Sequence, residues 1–173
     1  METIKQIQLV ITGGTIDSDW APAKDTAVPL VKSGIKDYIQ KFIKPNFAIS
    51  EHIVCMRDSR NIDDDIRQQI LKVLKDSSDE NILITHGTYT MAETGRFLKS
   101  KFESDSTLQS KRIILVGSFW PLVFSPSDAP FNIGFAVGSF QSIKPGVYIA
   151  MNAQLFDPCN VTKHLENAEF ITE

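Results

Sequence analysis

The chain is poor in the residues that build metal centres and covalent cross-links. Its 173 residues include only two cysteines, Cys55 and Cys159, and three histidines, His52, His86 and His164. The cysteines have no C-x-x-C spacing and no cluster of ligands beside them, so neither a zinc site nor a disulfide framework is supported. Both read as reduced thiols, with Cys55 buried and a structural role for Cys159 ahead of a catalytic one. No apolar run reaches membrane-spanning length. Met1 to Val10 reads as a short alternating strand, without the longer apolar stretch and small-residue cleavage site of a secretory leader. A cytoplasmic location away from membranes is therefore expected. The 18 basic residues, against 21 acidic ones and a net charge of -3, are scattered along the chain. They leave no nucleic-acid footprint, and a small polar substrate fits better than a polyanion.

What is present is a core. At 42% hydrophobic, residues 1–173 read as a single domain with one sheet and its covering helices. Short apolar runs recur at Ile7–Ile11, His52–Met56, Ile82–Thr85, Ile113–Gly117 and Val147–Met151. Most are too continuous to alternate, as strands covered on both faces are. Helical periodicity lies between them, at Ile35–Ile43, Ile66–Leu74, Met91–Phe102 and Phe131–Phe140. Asp63 to Asp65 load the start of one helix, and Asp128 followed by Pro130 supplies a capping carboxylate and a first-turn proline for another. The fold class is α/β, an open and mostly parallel sheet with helices on both faces. Ligands of such sheets bind beyond the carboxyl ends of the strands, where strand order reverses. Trp20 to Ser33 reads as a long connection of the kind that forms lids.

Two strand ends offer hydroxyls to one crevice. Thr12-Gly13-Gly14-Thr15-Ile16 permits a tight turn that exposes backbone N–H groups near a hydroxyl. His86-Gly87-Thr88-Tyr89-Thr90-Met91 puts a second threonine at a helix start. Taken singly, these are ordinary: a Gly-Gly turn, a helix cap, and a histidine without a Ser or Cys elbow to serve as base. In order along the chain, however, they resemble the bacterial-type L-asparaginase (asparaginase/glutaminase) family. Asp58-Ser59-Arg60-Asn61-Ile62 resembles its substrate-binding turn. Val116 to Pro121, Asp128 to Asn132 and Asn160-Val161-Thr162-Lys163 resemble later segments of the same family.

That resemblance implies the fold of the asparaginase N-terminal domain and hydrolysis of L-asparagine to L-aspartate and ammonia through a threonine acyl-enzyme. L-Glutamine is a poorer substrate, and neither metal nor organic cofactor takes part. The catalytic residues it implies are Thr15 as nucleophile, Thr88 as second threonine and Lys163 as its partner. Asp58, Ser59, Arg60, Gly87, Tyr89 and Ser118 border the substrate, with Ser59 on its α-carboxylate and the N–H groups of Thr88 and Ser118 on the oxyanion. A threonine hydroxyl needs a neighbouring base, and a lysine partly desolvated among hydroxyls loses enough basicity to be one.

Three departures qualify the match. Tyr89 stands where the family has the aspartate that holds the substrate's α-ammonium, and a phenol does not supply that charge; either a nearby carboxylate such as Asp58 takes over, or the amino group is handled differently, or activity toward free asparagine is weak. No tyrosine lies between Trp20 and Pro29, where the family's lid supplies one. The family's C-terminal domain has no counterpart, so a homo-oligomer is expected to shield the crevice. The rival readings are a non-catalytic amino-acid-binding module of the same fold, which Tyr89 favours, and a flavodoxin-like nucleotide-binding domain, which the lack of a phosphate-binding signature opposes.

Overall fold

The structure, a computed structural model, describes residues 3–172. Along the chain run β1 (Gln6–Gly13), β2 (Ser18–Ala21), β3 (Thr26–Pro29), α1 (Ile35–Tyr38), β4 (Ala48–Arg57), α2 (Asp64–Asp76), β5 (Asn81–Thr85) and α3 (Met91–Ser104). Then come β6 (Arg112–Val116), α4 (Ala129–Ser139), β7 (Gly146–Met151), β8 (Gln154–Phe156), β9 (Val161–His164) and β10 (Glu169–Thr172).

The apolar runs form strands because each has two cores to fill. Val10, Ile82, Ile84, Ile113, Leu115 and Ile149 face one core, closed by Ile66, Ile70 and Leu74 of α2 and Leu98 of α3. Their neighbours Leu9, Ile11, Leu83, Ile114, Val116 and Ala150 face the other, closed by Ile35 of α1 and Ile133 and Ala136 of α4. Each fully buried aliphatic side chain stabilises the fold by about 1.5–3 kcal/mol relative to exposure. The sheet order is β4-β1-β5-β6-β7-β8, parallel except for the last pair. The chain leaves β1 toward β4 on one side and leaves β5 toward β6 on the other. The crevice therefore opens between the carboxyl ends of β1 and β5.

The helix starts are only partly as expected. Asp63 caps α2, accepting from the Ile66 N–H at 2.9 Å. Asp128 does not cap α4. Its carboxylate is drawn instead to the Phe119 and Trp120 N–H groups, at 2.9–3.1 Å, and Ser127 Oγ takes the Ala129 N–H at 3.1 Å. Cys55 is half-buried rather than buried, because β4 is an edge strand; its thiol donates to the Thr12 carbonyl at 3.3 Å. Cys159 is exposed, and both thiols are free.

The long connection contains the β2–β3 hairpin, and it is latched. The buried Asp17 carboxylate accepts from Ser33 Oγ at 2.8 and 3.0 Å and from the Gly34 N–H at 3.1 Å. Burial still pushes Asp17 above the usual carboxylate range, with these donors opposing it. At the other end of the chain β9 and β10 pair as a separate hairpin. The turn before it, Pro158–Asn160, packs on α3 so closely that a Cβ on Gly95 would lie 2.8 Å from Pro158 Cβ. Lys99 and Asp157 form an ion pair across the same contact, at 2.5 Å.

Candidate active site

The loops after β1, β4, β5 and β6 touch one another beyond the sheet, and glycines permit it. Gly14 has φ +85°, and a Cβ there would lie 2.4 Å from Gly87 N and 2.5 Å from Gly87 Cα. A Cβ on Gly87 would in turn lie 2.7 Å from Ser59 Oγ, and one on Gly117 would lie 2.4 Å from the His86 carbonyl oxygen. Thr15, Ser59, Thr88 and Ser118 each stand at or beside one of these contacts. Four sequence-predicted residues are thereby brought together from segments more than a hundred residues apart.

Thr15 is half-buried and opens the 3-10 turn Thr15–Asp17. That turn is held by Ser18 Oγ donating to the Gly14 carbonyl at 2.8 Å, by the Leu122 N–H donating to the Ile16 carbonyl at 3.1 Å, and by the Asp17 latch. Thr88 is buried, and Lys163 Nζ donates to its Oγ1 at 2.7 Å across 75 positions of sequence. The same ammonium lies 3.9 Å from the centre of the Tyr89 ring and 5.2 Å from that of Phe119. Burial first, then the Arg60 charge, pulls Lys163 below the ordinary lysine range, and Asp58 partly opposes them.

Tyr89 contributes its ring rather than its hydroxyl. Half of the side chain is exposed, and Arg60 as well as Lys163 lies against the ring, Arg60 Cζ at 4.9 Å from its centre. The carboxylate expected to replace the missing aspartate is already engaged. Asp58 takes Arg60 Nε and Nη2 at 3.0 and 2.9 Å and the Arg60 N–H at 2.8 Å. The Arg60 hydrogen bond lowers Asp58, against the effect of burial. The side chain of Ser59 packs on Gly87, its hydroxyl buried without a partner, while its carbonyl accepts from Thr90 Oγ1 at 2.6 Å. Ser118 is buried and its hydroxyl donates to the Trp120 carbonyl.

His86 is structural in setting. It is fully buried, and Nδ1 must donate to the Gly87 carbonyl at 2.8 Å, since a carbonyl only accepts. Burial pulls its pKa from 6.5 to about 4, so it is neutral. Sequence reasoning missed the support beneath Ser118. Asn132 donates to the Gly117 carbonyl and to Asp128, each at 3.0 Å, which ties the start of α4 to the loop after β6. Reading Asp128 as a cap hid that role, and nothing in the sequence marked Phe119 as a neighbour of Lys163.

A cavity of about 320 Å³ adjoins the threonine–lysine pair, lined by Thr88, Tyr89, Glu93, Arg96, Lys163 and Phe170 among others. A larger hollow of about 600 Å³ lies around Lys5, Asp79 and Arg112, at the opposite ends of the strands, and holds none of the predicted residues.

These features form a polar crevice on an open α/β domain, made from hydroxyls and one amine rather than from a phosphate-binding loop. The comparisons with known proteins place the chain in a family. A family model described as "Asparaginase, N-terminal" matches residues 6–169, and the chain belongs to that family. It is 28% identical over 167 residues to L-asparaginase 2 of Escherichia coli strain K12, covering 92% of this chain and 47% of that one. Over 101 residues it is 36% identical to the glutaminase-asparaginase of Acinetobacter glutaminasificans, covering 57% and 29%. The crystal structure of the probable cytoplasmic L-asparaginase from Campylobacter jejuni superposes with a TM-score of 0.75 at 28% identity, over 92% of this chain and 48% of that one. The chain thus spans about half the length of the first of these relatives. Among the described residues no helix is long and apolar enough to cross a membrane.

Proposed function

We propose that this chain hydrolyses the side-chain amide of L-asparagine to give L-aspartate and ammonia, with L-glutamine a poorer substrate, in the cytoplasm. The observation that carries the reading is the 2.7 Å hydrogen bond from Lys163 to Thr88, set in the loop that touches the turn of Thr15. Thr15 Oγ1 attacks the amide carbon, and its proton passes through Thr88 to Lys163, whose depressed basicity keeps a neutral fraction ready to receive it. The N–H groups of Thr88 and Ser118 hold the oxyanion. The C–N bond breaks as Lys163 returns the proton, and ammonia leaves. Water, activated along the same route, then cleaves the ester and restores Thr15.

Ser59 gives the substrate carboxylate a place to bind. A buried hydroxyl without a partner costs about 1–3 kcal/mol, and a ligand oxygen would relieve that cost.

Ammonia release by the purified protein, lost in Thr15→Ala, is the test. Binding of aspartate without any ammonia release would replace this reading with the amino-acid-binding module, which Tyr89 favours.

A further inference from the structure

We infer that the crevice prefers an amide that carries a carboxylate but no ammonium group, succinamate rather than asparagine, and that Tyr89 and Arg60 set this preference. The inference rests on the amide-hydrolase reading and names the substrate class for the same site.

The charge around Thr88 is already committed. The Tyr89 ring has two cations against it, Lys163 Nζ at 3.9 Å and Arg60 Cζ at 4.9 Å, so a third cation brought to that ring would lie within reach of both. The carboxylates bordering the site are each engaged. Both Asp58 oxygens bind the Arg60 guanidinium. Glu93 accepts from Arg67 Nη2 at 3.0 Å. Asp128 accepts from two backbone N–H groups and from Asn132. An ammonium entering here would have to compete with one of these partners and stand beside like charge. A carboxylate meets the reverse situation: the Arg60 guanidinium and the unpartnered hydroxyl of Ser59 both suit an anion. Succinamate is asparagine with hydrogen in place of its amino group. Its reaction with water gives succinate and ammonia by the same C–N cleavage on Thr15.

The experiment compares kcat/KM for succinamate and asparagine by ammonia release, and binding of succinate and aspartate to Thr15→Ala by calorimetry. Wild type is expected to favour succinamate by about tenfold or more, the scale of one charge-assisted hydrogen bond. Tyr89→Asp, which places a further carboxylate beside the two cations, and Arg60→Ala, which releases Asp58, are each expected to shift the ratio of kcat/KM values toward asparagine by about tenfold; a change in Lys163 basicity common to both substrates cancels in that ratio. Both side chains are exposed enough for the fold to survive, which thermal melts check. A wild-type preference for asparagine, or a ratio unmoved by both variants, overturns the inference while leaving the hydrolase reading intact. Tighter binding of succinate than aspartate without ammonia release sinks the hydrolase reading and upholds the selectivity. Failure of both ligands to bind overturns both.

Discussion

Replacing Gly14 by alanine tests the contact on which the site depends. The added methyl would lie 2.4, 2.5 and 2.9 Å from Gly87 N, Gly87 Cα and the His86 carbonyl carbon. All three are backbone atoms, so no side chain can swing aside. The φ of +85° adds strain of about 1–3 kcal/mol for a residue with a Cβ, and overpacking adds a further 1–3 kcal/mol or so. A loss of about 4 kcal/mol is expected, which for a chain of this size lowers Tm by about 8–16 °C. Gly134→Ala is the control: Gly134 lies in α4 with nothing within 4 Å of its would-be Cβ. That change should stabilise by about 0.5–1 kcal/mol. Calorimetric melts of both variants supply the measurement. A Gly14→Ala protein melting within a degree or two of wild type would mean that the loops after β1 and β5 do not meet.

Other outcomes follow from the same geometry. Thr15→Ala should retain the wild-type melting temperature yet lose several orders of magnitude in kcat; near-wild-type turnover would remove Thr15 from the nucleophile's role. Tyr89→Phe keeps the ring that faces Lys163 and should alter kcat/KM less than about threefold, whereas Tyr89→Leu should cost about 0.5–2 kcal/mol of transition-state stabilisation; equal losses in both variants would make the hydroxyl the working group. Because His86 is neutral in the fold down to about pH 4, the unfolded chain binds a proton there that the folded chain refuses. Stability should therefore fall as pH drops from about 6.5 to 4, by about 3 kcal/mol in all. Urea titrations across that range would show it, and an NMR titration of His86 near pH 6.5 would contradict it. We also expect a homo-oligomer, since Trp20 and Trp120 are exposed; light scattering that gave an active monomer of 19.4 kDa would exclude it.

The sheet was legible because a strand between two helical layers must be apolar on both faces, and few other elements read that way. The short runs Ile82–Ile84 and Ile113–Leu115, rich in β-branched residues, read as such strands. β4 was half legible: as an edge strand it exposes His52 and Ile53, so only part of its length reads as a buried run. The placing of Thr15 and Thr88 at the crevice was legible through local turns, since Gly13-Gly14-Thr15 and Gly87-Thr88 carry their geometry in neighbouring residues. What stayed hidden depends on long-range choice. Asp128 had two possible sets of N–H donors, those of its own helix and those of the loop after β6, and sequence spacing does not rank them. Asp58 likewise read as a free charge, because its engagement by Arg60 depends on the 3-10 turn Ser59–Asn61 folding the guanidinium back.

The packing of Pro158 on Gly95 has a consequence for how the site can move. α3 begins three residues after Thr88, and the same helix carries the turn that leads into Lys163. The threonine and the lysine are therefore both tied to one helix, braced by Lys99 and Asp157. Any shift of α3 would carry the lysine and Thr88 together. The contact of Gly14 with Gly87 sets how far apart the two threonine loops stand, and the bond from Lys163 to Thr88 holds the length of that pair.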